Sequence, residues 1–349
     1  MARQAGRCRI RGGIGVSARD QALTQFLTAN GWRDQDRAVL ADDASFRRYD
    51  RLKDGWRRAV LMDAPPDKED TRPFVRIATL LRDAGLSAPE IIAQDVENGF
   101  LLLEDMGDDT FTKVLAAGAD EATLYAQALE ALAALYRRID VAALGDLPRY
   151  DEALYLREVS LLIDWYLPAL RGPLPDEVRD AFLQAWRMVL PRAAGVPETL
   201  VLRDYHVDNL MWLPERESPA CVGLLDFQDG VVGPVTYDLV SLFEDARRDV
   251  DPAVTAKLLD RYLTLFPDID REAFEASYAV LAAQRSTKIL GIFTRLAHRD
   301  GKPGYLRHTA RLWRWLEGDL AHPALAPVKD WFDREVPPAL RREPPAEAA

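Results

Sequence analysis

Cysteine is almost missing from this 349-residue chain: Cys8 and Cys221 are the only two. A disulfide framework or a thiolate zinc site needs more, so a reducing compartment fits and a cytoplasmic protein is expected. Histidine is scarce too. His206, His298, His308 and His322 lack metal-ligand spacing, and His298 and His308 read as surface helix residues. No run of roughly 18 apolar residues occurs, which argues against a membrane-spanning helix. The first sixteen residues carry Arg3, Arg7, Arg9 and Arg11 among glycines without the apolar centre of a secretory signal. They read as a disordered extension, or as residues upstream of the natural start. Positive charge is in deficit, with 45 Lys and Arg against 56 Asp and Glu and a net charge of −11, so nucleic acid is not an expected partner. Repeats and low-complexity blocks are also missing, apart from a Pro/Glu/Ala-rich tail after Pro337.

What remains is a chain that can build a sizeable core: 48% of its residues are hydrophobic and its length suits two domains or one bilobal unit. Periodicity predicts a helix from Ala18 to Asn30, with Leu23, Phe26 and Leu27 on one face. β-Character follows over Ser45 to Leu52 and Arg58 to Met62, around a Lys53-Asp54-Gly55 turn. A helix with a Thr71 cap and Gly85 at its end is predicted over 71–84, then strands at Ile91 to Gln94 and Phe100 to Leu103 around Asn98-Gly99. After Glu104-Asp105-Met106-Gly107 helices dominate, near 121–139, 153–168, 177–190, 252–265, 271–298 and 306–319. Trp165, Trp186, Trp313 and Trp315 on these helices read as core. The expected organisation is an extension (1–16), a β-rich nucleotide-binding lobe (17–105), a helical catalytic lobe (106–336) and a flexible tail (337–349).

Only Thr199 to Phe227 interrupts the helices with strands, and it carries the chemistry. Leu202-Arg203-Asp204-Tyr205-His206-Val207-Asp208-Asn209 sets an aspartate five residues before an asparagine. Leu224-Leu225-Asp226-Phe227 then ends an apolar run on a second aspartate. Phosphoryl transfer needs that combination: a carboxylate to orient the attacking hydroxyl and accept its proton, with an amide oxygen and another carboxylate to hold Mg2+. Each half alone also reads as an ordinary polar turn. Their order, and the apolar run before each, favour the chemistry.

With these pieces in place, the chain resembles the aminoglycoside-phosphotransferase-like kinases. Within them it is most similar to bacterial anomeric sugar kinases acting on N-acetylmuramate and N-acetylglucosamine. The closer match rests on Asp43-Ala44-Ser45-Phe46-Arg47-Arg48-Tyr49, Leu61-Met62-Asp63-Ala64-Pro65-Pro66, Gly99 to Asp105, Asp226 to Asp229 with Gly233 to Leu242, and Gln284 to Phe293. The resemblance implies an α+β, protein-kinase-like bilobal fold with a small β-rich N-lobe and a mostly helical C-lobe. It implies ATP and Mg2+ as cofactors, phosphorylation of the sugar 1-hydroxyl in cell-wall precursor recycling, and a monomer without membrane partners. It makes Asp204 the catalytic base and Asn209 and Asp226 the metal ligands. Ser45, Phe46, Arg47 and Arg48 would cover the phosphates, and Glu104 and Met106 would flank the adenine. Tyr205, His206, Asp229 and Arg285 are the substrate candidates, Arg285 being the reader of a lactyl carboxylate. Asp238 would buttress the catalytic loop, or be an ordinary charge at a helix start.

Two departures stand out. The phosphate-covering turn has no glycine-rich motif and begins Asp42-Asp43, and the strand Arg58 to Met62 has no lysine for the phosphates. Arg48 is the substitute considered. These gaps keep a nucleotide-binding pseudokinase open as an alternative; a kinase of an aminoglycoside or amino alcohol is the other. Gln284, Arg285 and Lys288 on one helix suit an anionic sugar better than a polycation, although a solvated helix face explains them too.

Overall fold

The computed structural model describes residues 17–42 and 46–346, which form two compact units. One holds the described residues through Pro73 together with Glu90–Asp105; the other holds Phe74–Pro89 and the chain from Met106 onward. The helix expected at 71–84 thus groups mainly with the helical unit and not with the β-rich segment. The basic extension, and Ser45 of the phosphate-covering turn, lie outside the described residues.

In the first unit, helix α1 (Ala18–Ala29) packs on an antiparallel sheet. Its strands are β1 (Arg37–Asp42), β2 (Arg48–Asp54), β3 (Arg57–Asp63), β4 (Ile91–Asp95) and β5 (Phe100–Leu103), in the order β1-β2-β3-β5-β4. Leu23, Phe26 and Leu27 of α1 cover Leu52, Ala59, Leu61, Phe100 and Leu102. A two-residue loop, Gly55-Trp56, closes the β2–β3 hairpin. At the β4–β5 turn Gly99 has φ +70°, and a Cβ there would come within 1.9 Å of the Ala64 carbonyl oxygen, so only glycine fits. Strand β1 was not expected. It is an edge strand whose ladder slips between Val39 and Ala41, and Val39 and Leu40 both face solvent. Main-chain bonding to β2 holds it, without the alternation that sequence reading relies on.

The second unit is built around helices α2 (Arg72–Asp83), α3 (Phe111–Ala116), α4 (Glu121–Arg138), α5 (Glu152–Leu161), α6 (Leu167–Arg171), α7 (Asp176–Ala193), α8 (Thr236–Phe243), α9 (Pro252–Leu265), α10 (Arg271–Asp300), α11 (Thr309–Asp319) and α12 (Ala326–Glu335). Thr71 does not cap α2: its buried hydroxyl finds no partner, and Asp70 accepts the Arg72 amide instead. A π-turn, Leu162–Tyr166, joins α5 to α6. The 30-residue α10 runs through the core, and the whole stretch from Ala279 to Gly291 is buried. Gly291 sits so close to α5 that a Cβ would lie 2.2 Å from the Leu161 carbonyl carbon.

Two short antiparallel pairs interrupt the helices. β6 (Glu198–Val201) pairs with β9 (Val231–Pro234), and β7 (Leu210–Trp212) with β8 (Val222–Leu224). Residues 337–346 are not the flexible tail expected. The Tyr166 hydroxyl donates to the carbonyls of Leu340 and Arg342, and Arg341 bonds back to Val336. Among the described residues no helix is long and apolar enough to cross a membrane.

Candidate active site

The catalytic-loop motif leaves β6 at Leu202 and turns back before β7. Arg203 takes φ +70°, a left-handed conformation costing a non-glycine residue roughly 1–2 kcal/mol. The buried carboxylate of Asp238, in the first turn of α8, holds it there by accepting the Leu202 amide at 2.6 Å and the Arg203 amide at 2.9 Å. Asp238 is therefore the buttress of the loop. Burial pushes its pKa up to about 7, against the pull of those two N–H groups.

Asp204 follows, half exposed. Its main-chain carbonyl accepts the Asn209 amide Nδ2 at 3.0 Å, and the Asn209 main-chain carbonyl accepts the Leu225 amide at 3.0 Å. These two bonds tie the loop to the strand end carrying Asp226. Asp226 itself has φ +57°, and Gln228 donates to its Oδ1 at 2.8 Å.

Behind Asp204 lies a buried charge cluster. Glu158 of α5 accepts from Lys288 at 3.0 Å, from Gln284 at 3.0 Å, and from Arg203 and the Tyr150 hydroxyl. Lys288 also reaches the Tyr237 hydroxyl at 3.2 Å. Arg285 donates to Ser241 at 2.7 Å and stands 3.5 Å from the Asp204 Oδ1. Burial alone would raise the pKa of Asp204. The charges of Lys288, Arg285 and Arg203 outweigh it and hold the carboxylate at about 2. The group is ionised at any physiological pH.

The substrate candidates separate on this geometry. Asp229 is exposed at the rim, its main-chain carbonyl 3.4 Å from Arg203. Tyr205 is not available to a ligand: it is buried, and its hydroxyl donates to the Ala128 carbonyl at 2.8 Å. His206 is buried as well. Burial and then the charge of Arg247 lower its pKa to about 4, so it is a neutral spacer within the loop. Arg285 is buried behind the base, its guanidinium on the Ser241 hydroxyl and 3.5 Å from the Asp204 carboxylate.

In the first unit Phe46 is exposed, with the Lys68 ammonium 5.8 Å from its ring. Arg48 pairs with the buried Asp50 at 3.4 Å, while Arg47 is half-buried. β3 presents Val60, Leu61 and Met62, all buried, where a phosphate-binding lysine was sought. The Glu104 amide donates to the Glu90 carbonyl at 2.8 Å, and the Met106 thioether lies against Gly223 of β8.

Asn209 and Asp226 offer hard oxygen donors of the kind Mg2+ prefers. Among the described residues no group of three or more His, Cys, Asp and Glu could hold a metal alone.

Sequence reading missed Glu158, although a signal existed. With Tyr155, Val159 and Leu162 it occupies the apolar face of its helix, where a lone carboxylate needs buried partners. His308, expected at the surface, is buried beside Phe293.

The model of the phosphotransferase enzyme family (APH) matches residues 36–276. Over 364 aligned residues the chain is 40% identical to an N-acetylmuramate/N-acetylglucosamine kinase of Caulobacter vibrioides, covering 93% of this chain and 99% of that one. It is 43% identical to the enzyme of the same description from Pseudomonas aeruginosa, covering 88% and 91%. Among solved structures, the gentamicin–APH(2″)-IIa complex superposes with a TM-score of 0.59 at 14% identity, covering 86% of this chain and 97% of that one. This last likeness supports the α+β, kinase-like fold.

Proposed function

Because the chain belongs to the phosphotransferase enzyme family, we propose that it transfers the γ-phosphoryl group of ATP to the anomeric 1-hydroxyl of N-acetylmuramate and N-acetylglucosamine. The observation that carries this reading is its likeness, along most of its length, to kinases named for those two sugars. Asp204 accepts a hydrogen bond from the 1-hydroxyl and points its oxygen at the phosphorus. The new O–P bond forms as the bond to the β-phosphate oxygen breaks, ADP leaves, and the hydroxyl proton passes to Asp204. A carboxylate held near pH 2 is a weak base, so its main contribution is orientation, with proton transfer late in a loose transition state. Mg2+ held by Asn209 and Asp226 would neutralise charge on the phosphates. Phe46, Arg47 and Arg48, and the backbone from Glu104 to Met106, are the nucleotide contacts under this reading. The protein would act in the cytoplasm as a monomer and deliver a sugar 1-phosphate, the form that nucleotidyl transfer in cell-wall precursor recycling requires.

An aminoglycoside or amino-alcohol acceptor is disfavoured because the curated relatives are named for the two amino sugars. A coupled assay of ADP release against both amino sugars, their methyl 1-glycosides, aminoglycosides and choline tests the proposal. Turnover is expected with the two free sugars, and the glycosides should be inert. Phosphorylation of a methyl 1-glycoside, or turnover confined to the amines, overturns it.

A further inference from the structure

With Arg285 enclosed, any carboxylate on the acceptor needs another reader. The helical unit has a cavity of about 500 Å³ against the catalytic loop, a volume suited to a small ligand. Its wall on the loop side is Asp208, four residues after the base. The Asp208 carboxylate accepts from Thr112 at the start of α3 and pairs with Arg247 at 3.1 Å. Arg247 is also fixed to Asp245 at 3.4 Å. The opposite wall follows α10, where the chain leaves Gly301 and supplies Lys302 and Arg307.

The charges in this cavity do not balance. Asp208 is committed to Arg247. Neither Lys302 nor Arg307 has a carboxylate within ion-pair distance among the described residues, although the chain as a whole carries a net charge of −11. Arg307 instead donates to the His308 Nε2 at 3.2 Å, which requires that nitrogen to be unprotonated. Burial, followed by the charges of Arg307, Arg247 and Arg311, keeps the imidazole below its ordinary pKa. The cavity lining sets Arg247, Lys302 and Arg307 against Asp208, with Asp300 near Lys302 and Asp245 on Arg247. This excess of cations in the lining suits an anion. Tyr305, packed on Phe293 with ring centroids 5.1 Å apart, gives the same cavity an apolar face of the kind that sugars lie against.

We propose that this cavity receives the carboxylate of an acid-bearing acceptor sugar, with Lys302 and Arg307 contacting it and the Asp208–Arg247 pair fixing the wall to the catalytic loop. The inference rests on the amino-sugar kinase reading and names the feature by which the site tells N-acetylmuramate from N-acetylglucosamine. A charge-assisted bond to each cation corresponds to a preference of about tenfold or more.

The test has a kinetic arm and a binding arm. In the Lys302→Met/Arg307→Met double variant, the ratio of kcat/KM for N-acetylmuramate over N-acetylglucosamine should fall at least about tenfold. In the wild-type chain, N-acetylmuramate should raise Tm more than its methyl ester does, and the double variant should lose that difference. Equal losses on both sugars, a change confined to the KM for ATP, or equal stabilisation by acid and ester would each overturn the proposal. If neither sugar is phosphorylated while the acid-over-ester difference persists and depends on the two cations, the kinase reading fails and the anion site stands.

Discussion

The sheet unit and the helical unit handle charge in opposite ways. Around the sheet, pairs such as Arg33–Asp54, Lys68–Asp67 and Arg72–Asp70 lie in solvent. Water and salt screen them, and each is worth at most about 1 kcal/mol. Two carboxylates there are enclosed, Asp50 beside Arg37 and Arg48 and Asp105 beside Arg51. In the helical unit Glu158, Arg285 and Lys288 are all buried, and the charges of Arg285 and Lys288 act on Asp204. Burying ions is costly unless each is paired and hydrogen-bonded. Tyr150, Tyr237, Gln284 and Ser241 supply the cluster with hydrogen bonds. Charge that must act on a reacting oxygen is enclosed and held rigid; charge at the sheet surface can be rearranged at little cost.

The sharpest way to break this contrast is to remove the group on which the enclosed field converges. Asp204→Asn should lower kcat by about 10²–10⁴ and leave the KM for ATP nearly unchanged. A variant retaining near wild-type kcat with saturating sugar would show that the cluster serves something other than Asp204. Next comes the cluster itself. Glu158→Ala leaves Arg203 and Lys288 buried without their carboxylate, and denaturant unfolding should show a loss of about 3–5 kcal/mol. A loss under about 1 kcal/mol would make these charges equivalent to surface ones. The smallest effect belongs to the sheet unit. Arg48→Ala should cost less than about 1 kcal/mol, since Asp50 keeps Arg37 at 3.0 Å. If Arg48 holds phosphate, the KM for ATP should still rise severalfold; an unchanged KM would remove it from the nucleotide contacts.

Much of this was legible in the sequence where the pattern was local. The spacing from Asp204 to Asn209, the strand before Asp226, the long periodic helices and the Asn98-Gly99 turn are all statements about neighbours along the chain. The buttressing role of Asp238 was readable only as one of two options. Its partners, Leu202 and Arg203, are more than thirty residues away, and only the fold brings their amides to its carboxylate. Tyr205, His206 and Arg285 were misplaced for a related reason. Tyr205 and His206 directly follow the base, which suggested contact with substrate, whereas the turn sends both side chains into the core. Arg285 was chosen for its charge and by resemblance, neither of which reports burial. Edge strand β1 was invisible because its stability comes from a partner's backbone and not from its own side chains.

One close approach has a mechanical meaning. Leu161, which leaves no room for a side chain at Gly291, lies three residues beyond Glu158, and Gly291 lies three residues beyond Lys288. The crossing of α5 and α10 therefore acts as the fulcrum that sets the spacing of the Glu158–Lys288 pair. A methyl group at position 291 would be a wedge, prising the helices apart one turn from that pair. As Lys288 drew back, its stabilisation of the Asp204 carboxylate would weaken and the pKa of the base would rise. In this molecule the acidity of the base is gauged by the thickness of a glycine.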